Sequence, residues 1–559
     1  MRPQSRRTRR HWSWWATAGL CVVAAALIVT YAALQIWRPR HDLVIRDAVI
    51  HDGSGGPAFH GTIVVDGDRI TEIRRGRFHV FLTGRTTIYA HGLDVAPGFI
   101  DTHTHVDQSI LESSAPIRAN NFIGQGVTTI VTGNCGRSPV DIARFRKTIE
   151  VRGTNVNIAT LVGLNSVRSA IMKTSTAPAS GAETARMCAL VAAAMRDGAA
   201  GVSTGAAYVP GRFASQEETI AQLAVAGRHG GIFATHLRDE GNGIIQSVAE
   251  AIRQSTRAHV PLLISHFKIV GPANCGKYAE VERMLARAGR QGLRVYADQY
   301  PYTASSSNLD LYLPDWYLAM SGAARRALLQ TNEGKARLGR ELRERVVSEG
   351  FHDFGFAYVA SYQKEMSLAG LSVAEIARVK HLATSDPQVE TIADLLREGG
   401  AQMVYQNICT ATLPPIASRP TTMFGSDSAI RYEADGYRPH PRGWGTFPRV
   451  IAQYVRRDGV LSLDEAVRKM TSLPARTFGL DHRGLIRPGY YADLVVFDAK
   501  TITDRATYTN PFLRPRGIVH VVVNGTVSVT EPSPGKQRIL PVAAGRFLRP
   551  ARPTQSSAM

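Results

Sequence analysis

Cysteine is scarce: a chain of 559 residues has five, Cys21, Cys135, Cys188, Cys275 and Cys409, with no spacing that marks a disulfide framework. Cys188, Cys275 and Cys409 are therefore read as small buried side chains. Acidic residues are missing from both ends. Residues 1–40 hold seven arginines and no acid, and residues 536–559 hold five basic residues and no acid. The formal charge of +20 thus belongs largely to the tails; with those twelve set aside, 54 basic residues face 46 acidic ones. The body lacks a basic stripe interleaved with aromatics, which excludes a nucleic-acid-binding face. Long hydrophobic runs are absent but for one, so a multi-span transporter is excluded as well.

That one run is residues 16–36, 21 residues without a charge, long enough to cross a bilayer as a helix. Trp12, Trp14 and Trp15 stand at one end and Trp37 at the other, where interfacial aromatics belong. Five arginines precede the run against Arg38 and Arg40 after it. This bias puts the amino terminus in the cytoplasm and the body outside, as a single-pass inner-membrane protein with a periplasmic body. Secretion after cleavage of a signal peptide is the alternative, although no small-x-small site follows convincingly. Ser5-Arg6-Arg7 hints at twin-arginine export.

With 44% hydrophobic and 20% charged residues the remainder is globular and large enough for more than one domain. Residues 42–50 and 62–73 alternate apolar and polar positions around glycine turns, and 492–497 and 517–523 do the same ahead of an Asn524-Gly525 turn. Such flanking groups predict a small β-sandwich assembled from both ends, over 41–97 and 481–530, with a basic tail at 531–559. Between them, short apolar strands near 98–103, 127–133, 157–163, 200–205, 231–235, 262–265, 294–298 and 421–426 alternate with helical stretches such as 184–197, 217–228, 243–254 and 278–291. Eight strand-helix units predict an α/β fold, a closed (β/α)8 barrel of the TIM type over 98–480. Residues 310–400 lack the rhythm and are read as an insertion with helical runs at 323–347 and 372–380.

In such a barrel, chemistry sits at the carboxyl ends of the strands. His103 and His105 end the first strand, one residue apart, so that a period of two puts both imidazoles on one face. Alone, a His-x-His is also what surface histidines look like. The other strand ends supply the context: Cys135 after the second, His236 after the fifth, His266 after the sixth and Asp427 after the eighth. All six converge on one rim. Imidazole and thiolate suit Zn²⁺, and an open position makes such a site catalytic. A carboxylate at Asp427 can take a proton from an activated water and pass it to a leaving nitrogen. This chemistry splits an amide or related carbonyl bond.

The ordered set of Phe99 to His105, Gly133-Asn134-Cys135-Gly136, Gly201-Val202-Ser203-Thr204-Gly205, Thr235-His236, Ser265-His266-Phe267-Lys268, Tyr300-Pro301-Tyr302-Thr303 and Gly425-Ser426-Asp427 resembles the N-acyl-D-amino-acid deacylases, or D-aminoacylases, of the amidohydrolase superfamily. The resemblance covers about residues 42–525. It implies zinc-dependent hydrolysis of N-acyl-D-amino acids to a carboxylic acid and a D-amino acid. It further implies one tight zinc on Cys135, His236 and His266, and a second, weaker metal position at His103 and His105 with Asp427 beside it as acid/base. Strand four has no lysine to bridge two metals, so Cys135 is its replacement, which argues against a hydantoinase-like site. For the substrate carboxylate it implies Arg442 and Lys268, with Tyr300 and Ser306 as further contacts. Leu164, where the family tends to have a histidine, and residues 409–412, where it tends to be acidic, depart from the pattern where loops shape the substrate pocket. Rival readings are the same chemistry on a D-residue-containing dipeptide or a cyclic imide, and a non-catalytic envelope protein that binds a ligand.

Overall fold

Glycine turns cut the first stretch of the folded body into alternating segments. In the computed structural model, which describes residues 10–36, 41–76, 82–380, 383–432, 437–533 and 535–551, those segments are strands. They are β1 (His41–Ile50), β2 (Phe59–Asp66), β3 (Arg69–Arg75), β4 (Gly84–Tyr89) and β5 (Asp94–Pro97). The apolar runs of the middle follow as β6 (Phe99–Asp101), β7 (Val127–Thr132), β8 (Asn157–Thr160) with its continuation β9 (Val162–Gly163), β10 (Gly201–Gly205), β11 (Ile232–His236), β12 (Leu262–Ile264) and β13 (Val295–Gln299). Then come β14 (Ser305–Asn308), β15 (Ala357–Ser361), β16 (Gln402–Tyr405), β17 (Thr422–Phe424), β18 (Leu494–Phe497), β19 (Ile518–Val523), β20 (Thr526–Thr530) and β21 (Arg538–Ile539).

Strands β6, β7 and β8 pair in parallel, and β9 to β13 continue in parallel to β17. The ring closes where Thr102 N–H donates to the Phe424 carbonyl at 3.4 Å, Asp427 N–H to His103 O at 2.8 Å and His105 N–H to Ser428 O at 2.8 Å. This is the expected eight-fold barrel. Its strands are buried along nearly their whole length because helices cover the outer face. Those helices start where the sequence supplies caps. Ser180 accepts from Glu183 N–H while the Glu183 carboxylate accepts from Ser180 N–H, opening Gly181–Asp197, and Gly198 ends that helix at a φ of 115° that suits glycine. Ser215 caps Gln216–Arg228 in the same manner.

The strands at the two chain ends hydrogen-bond into one nine-stranded sheet, in the order β21-β20-β19-β18-β5-β1-β2-β3 with β4 on β1. The long β1 pairs first with β4 and then with β5 along one edge, and β18 is antiparallel to both β5 and β19, so hydrogen bonding runs on without a break. The insertion begins earlier than expected and carries its own antiparallel sheet, β14-β16-β15. Its core includes Leu313, Leu338, Leu342, Phe354, Ile392 and Met403. The run at 323–347 is two helices, Gly322–Leu328 and Asn332–Ser348, because the Thr331 hydroxyl accepts from Gly334 N–H and starts the second.

The carboxyl-terminal stretch is more than a basic tail. Gly545 N–H donates to Thr154 O at 2.8 Å and Leu548 N–H to Ile158 O at 2.8 Å, so residues 545–548 lie along the start of β8. A Cβ on Gly545 would sit 2.1 Å from Val156 O, which reserves the position for glycine. Leu548 joins the barrel's inner apolar cluster with Ile100, Val131, Ala159, Leu263 and Met423.

Cys275 and Cys409 form a disulfide. A separation of 134 residues hides the pair from any spacing rule; Gly271 N–H to Asn407 O and Cys409 N–H to Ile269 O, each 2.8 Å, bring the two loops together. Closing so long a loop limits the unfolded chain, so the Cys275→Ala, Cys409→Ala double variant should lose about 2–4 kcal/mol of stability. Denaturant midpoints under non-reducing conditions check this, and matched midpoints for the variant and the parent would refute it.

Residues Arg10–Ile36 form a helix, and the side chains of 17–31 are exposed. Among the described residues no helix is long and apolar enough to cross a membrane. The expected span 16–36 therefore finds no support in the fold. The side chains of Ala16, of residues 32–36 and of all four flanking tryptophans lie outside the described residues.

Candidate metal centre

Strand direction brings the polar residues together. Each parallel strand enters from the same end, so the residues that follow β6, β7, β11, β12 and β17 share one rim. His103 and His105 face each other with ring centroids 5.2 Å apart. Three rim residues, Cys135, His266 and Asp427, have φ of 51°, 37° and 50°, a left-handed conformation that costs a non-glycine residue about 1–3 kcal/mol. The strain turns each side chain off the line of its strand, and such strain gathers at functional sites.

Cys135 Sγ lies 3.4 Å from His103 Nε2, 3.5 Å from His266 Nε2 and 3.7 Å from His236 Nδ1, and the last two nitrogens are 2.8 Å apart. Two triads of ligand atoms result, Cys135 with His236 and His266, and Cys135 with His103 and His105, each within 4.8 Å of one another. Tetrahedral Zn–N and Zn–S bonds of about 2.0–2.3 Å place ligand atoms roughly 3.3–3.7 Å apart, so the first triad suits such an ion with a small opening of the histidine pair. Burial opposes ionisation of the Cys135 thiol, but the charges of His103 and His266 outweigh it and hold its pKa well below the ordinary value. The donor set is soft, buried and thiolate-bearing, as zinc prefers.

Carboxylates orient the imidazoles from behind. Glu240 Oε1 is 3.1 Å from His266 Nδ1 and accepts from Lys268 Nζ at 2.7 Å. Burial would raise the Glu240 pKa, but the charges of Lys268, His236 and His266 bring it down to about 2. Asp298, at the end of β13, accepts from His266 N–H at 2.6 Å and stands 3.4 Å from His103 Nδ1. Sequence reasoning overlooked both. Asp298 ends a strand as the ligands do and was findable on that ground, whereas Glu240 lies in a loop and only its distance reveals it.

Asp427 sits between the histidines and the substrate-side cations. Its Oδ1 is 3.0 Å from His105 Nε2 and 3.7 Å from His103 Nε2, and its Oδ2 is 2.7 Å from Arg442 Nη1. Arg442 Nη2 also donates to Ser306 O at 3.4 Å, and its guanidinium lies over the Tyr300 ring, 4.7 Å from the centroid. Lys268 reaches the other side of that ring at 5.9 Å but is 4% exposed and held by Glu240. The Ser306 hydroxyl donates to Met403 O at 2.7 Å inside β14-β16, and its carbonyl accepts from Arg442. Tyr208, unremarked in the sequence, packs 4.7 Å from the His236 ring and bonds Ser307 Oγ at 2.9 Å.

A pocket adjoins the centre, lined by His236, Glu240, Ser305, Tyr312, Arg345 and Asn407 among others. Leu164 lines a separate pocket with Arg168 and Glu218. At 409–412 the chain makes the disulfide and a turn before Leu413, which packs with Ile408, Tyr300 and Tyr302.

This combination of barrel, thiolate and histidines has counterparts. Residues 86–529 match the amidohydrolase family. The chain is 35% identical to a D-aminoacylase of Alcaligenes xylosoxydans xylosoxydans over 87% of its length and 93% of the relative's. It is 33% identical to an N-acyl-D-glutamate deacylase of the same organism, over 91% and 96%. Its fold superposes with a TM-score of 0.76, at 29% identity over 91% of this chain and 100% of the other, on an N-acyl-D-glutamate deacylase of Bordetella bronchiseptica complexed with zinc and a phosphonate inhibitor. The chain belongs to the amidohydrolase family and, within it, to the N-acyl-D-amino-acid deacylases.

Proposed function

We propose that this protein hydrolyses the amide bond of N-acyl-D-amino acids, releasing a carboxylic acid and a D-amino acid. The observation that carries the reading is the buried cluster of Cys135, His236 and His266 with Asp427 poised beside His103 and His105. The first three residues hold a tight zinc; His103, His105 and the shared thiolate offer a second, weaker position. Bound zinc supplies Lewis-acid polarisation of a carbonyl and makes a water easier to deprotonate near neutral pH.

The chain's own groups do the rest. Asp427 Oδ1, steered by His105, takes the proton of the attacking water and delivers it to the leaving nitrogen. Glu240 and Asp298 fix the ring orientations of His266 and His103. Arg442 offers a planar fork to the substrate carboxylate, with Tyr300 stacked against it and Lys268 beyond. Arg442→Lys keeps the charge and removes the fork, so KM for N-acyl-D-amino acids should rise about ten- to hundred-fold with kcat changing far less. Steady-state kinetics check this, and an unchanged KM would remove Arg442 from carboxylate binding.

The configuration rests on the relatives' activity, and the decisive experiment is release of free amino acid from matched N-acetyl-D, N-acetyl-L and cyclic imide substrates, with and without a zinc chelator. Chelator-sensitive release from the D series alone is expected. Release from the L series at the same rate, or no effect of the chelator, would overturn the reading.

We also propose that residues 16–36 anchor the protein as a single pass with the body on the periplasmic side. The uncharged run and the five arginines before it support this, as does the Cys275–Cys409 disulfide, since such bonds persist in oxidising compartments. Protease added to intact spheroplasts should digest or release the body; complete protection would place it in the cytoplasm.

A further inference from the structure

His440 is buried at 5% exposure, and both its ring nitrogens are engaged. Nδ1 accepts from the backbone N–H of Arg442 at 3.0 Å, and Nε2 lies 2.9 Å from the carbonyl of Ala304. A nitrogen that accepts from N–H carries no proton, so the ring is the neutral tautomer and Nε2–H is the donor to Ala304. Rings of Tyr300, Tyr302 and Tyr508 pack around it at centroid distances of 5.9, 5.2 and 5.2 Å. The two anchored backbones belong to different parts of the fold. Arg442 begins the helix Arg442–Arg449 after β17, and Ala304 leads into β14 of the insertion, whose Ser306 carbonyl receives Arg442 Nη2.

We infer that His440 is a positioning residue for substrate recognition: it ties the Arg442 backbone to the entry of the insertion, so that the guanidinium meets the substrate carboxylate at a fixed distance from the metal centre. The inference rests on Arg442 as carboxylate binder, stated above. Arg442 has many rotatable bonds, and a long side chain aims well only if its backbone is held. The Nδ1 bond holds it directly, while the Nε2 bond and the tyrosine cage hold the ring.

Two amide replacements separate the bonds. In His440→Asn the side-chain oxygen overlies Nδ1 and can still accept from Arg442 N–H; in His440→Gln the amide nitrogen overlies Nε2, and the bond to Arg442 is lost. His440→Gln should raise KM for an N-acetyl-D-amino acid about ten-fold with kcat within about three-fold, whereas His440→Asn should stay within about three-fold on both. The same variants are assayed on the substrate's α-carboxamide, which has no carboxylate to place, and there His440→Gln should match the parent enzyme. A structural role alone would depress both substrates together. Equal losses on acid and carboxamide, or a His440→Asn defect as large as that of His440→Gln, would overturn the inference. Arg442→Ala on the same pair tells the two failures apart: if it is selective for the acid and His440→Gln is not, only the His440 inference falls; if it is not selective, the carboxylate reading falls with it.

Discussion

Asp427→Asn should lower kcat by about 10³–10⁴-fold while zinc content stays at the parent level. Asparagine is the informative replacement here because the φ of 50° at this position suits it nearly as well as aspartate, so the backbone turn after β17 survives. Its amide keeps the size and some of the contact with His105 and loses the ability to take a proton. Removing the charge also frees Arg442 from its 2.7 Å partner, which should leave KM unchanged or lower it. The combination of retained metal, retained binding and lost turnover isolates proton transfer. Turnover within ten-fold of the parent, with zinc bound, would dismiss Asp427 as the acid/base.

Cys135→Ser should release the tight zinc, with affinity falling well beyond the 10–100-fold expected for loss of an outer-shell partner, and activity should go with it. The cause is charge as much as geometry. Cys135 Sγ is common to both triads, and its thiolate brings a negative charge to all four imidazoles. A serine hydroxyl is a poor ligand at neutral pH and leaves those rings with less reason to converge. Chelator titration followed by metal analysis measures the effect, with thermal melts of the metal-free parent and variant as the control for folding. Stoichiometric zinc in Cys135→Ser after dialysis against chelator would show that the histidines suffice.

The barrel was legible because parallel strands covered on both faces are written as short unbroken apolar runs, and each of the eight appears within a few residues of its expected place. The candidate ligands were legible because a polar residue ending such a run is conspicuous, as at His236 and His266. Other features lacked that contrast. Ser305–Asn308 is a strand only because Gln402–Tyr405 pairs with it, and nothing in four small polar residues announces this. The bond from the Ser306 hydroxyl to Met403 O was illegible for the same reason, since it comes from that strand pairing. Glu240 depends on a loop's path and the Cys275–Cys409 bond on two, which no local pattern encodes. The rim itself is held by backbone angles at Cys135, His266 and Asp427 that run against their residues' preferences, so propensity could not have supplied them.

The pairing of β5 with β18, and of β8 with residues 545–548, has a consequence for how the protein is made. Leu494 pairs with Pro97, and Leu548 shares the inner cluster with Ile100, so the two ends of the chain meet. A ribosome that has finished the barrel's last strand at Phe424 has still to deliver Leu494–Phe497 before β5 gains that neighbour, and Leu548 before the inner cluster is closed. Contacts so distant in sequence slow folding and lengthen exposure of apolar surface. The growing polypeptide therefore cannot reach its final state during synthesis, and a chain ending before Arg546 would leave the Ile158 N–H without its Arg546 carbonyl and the barrel's inner cluster without Leu548.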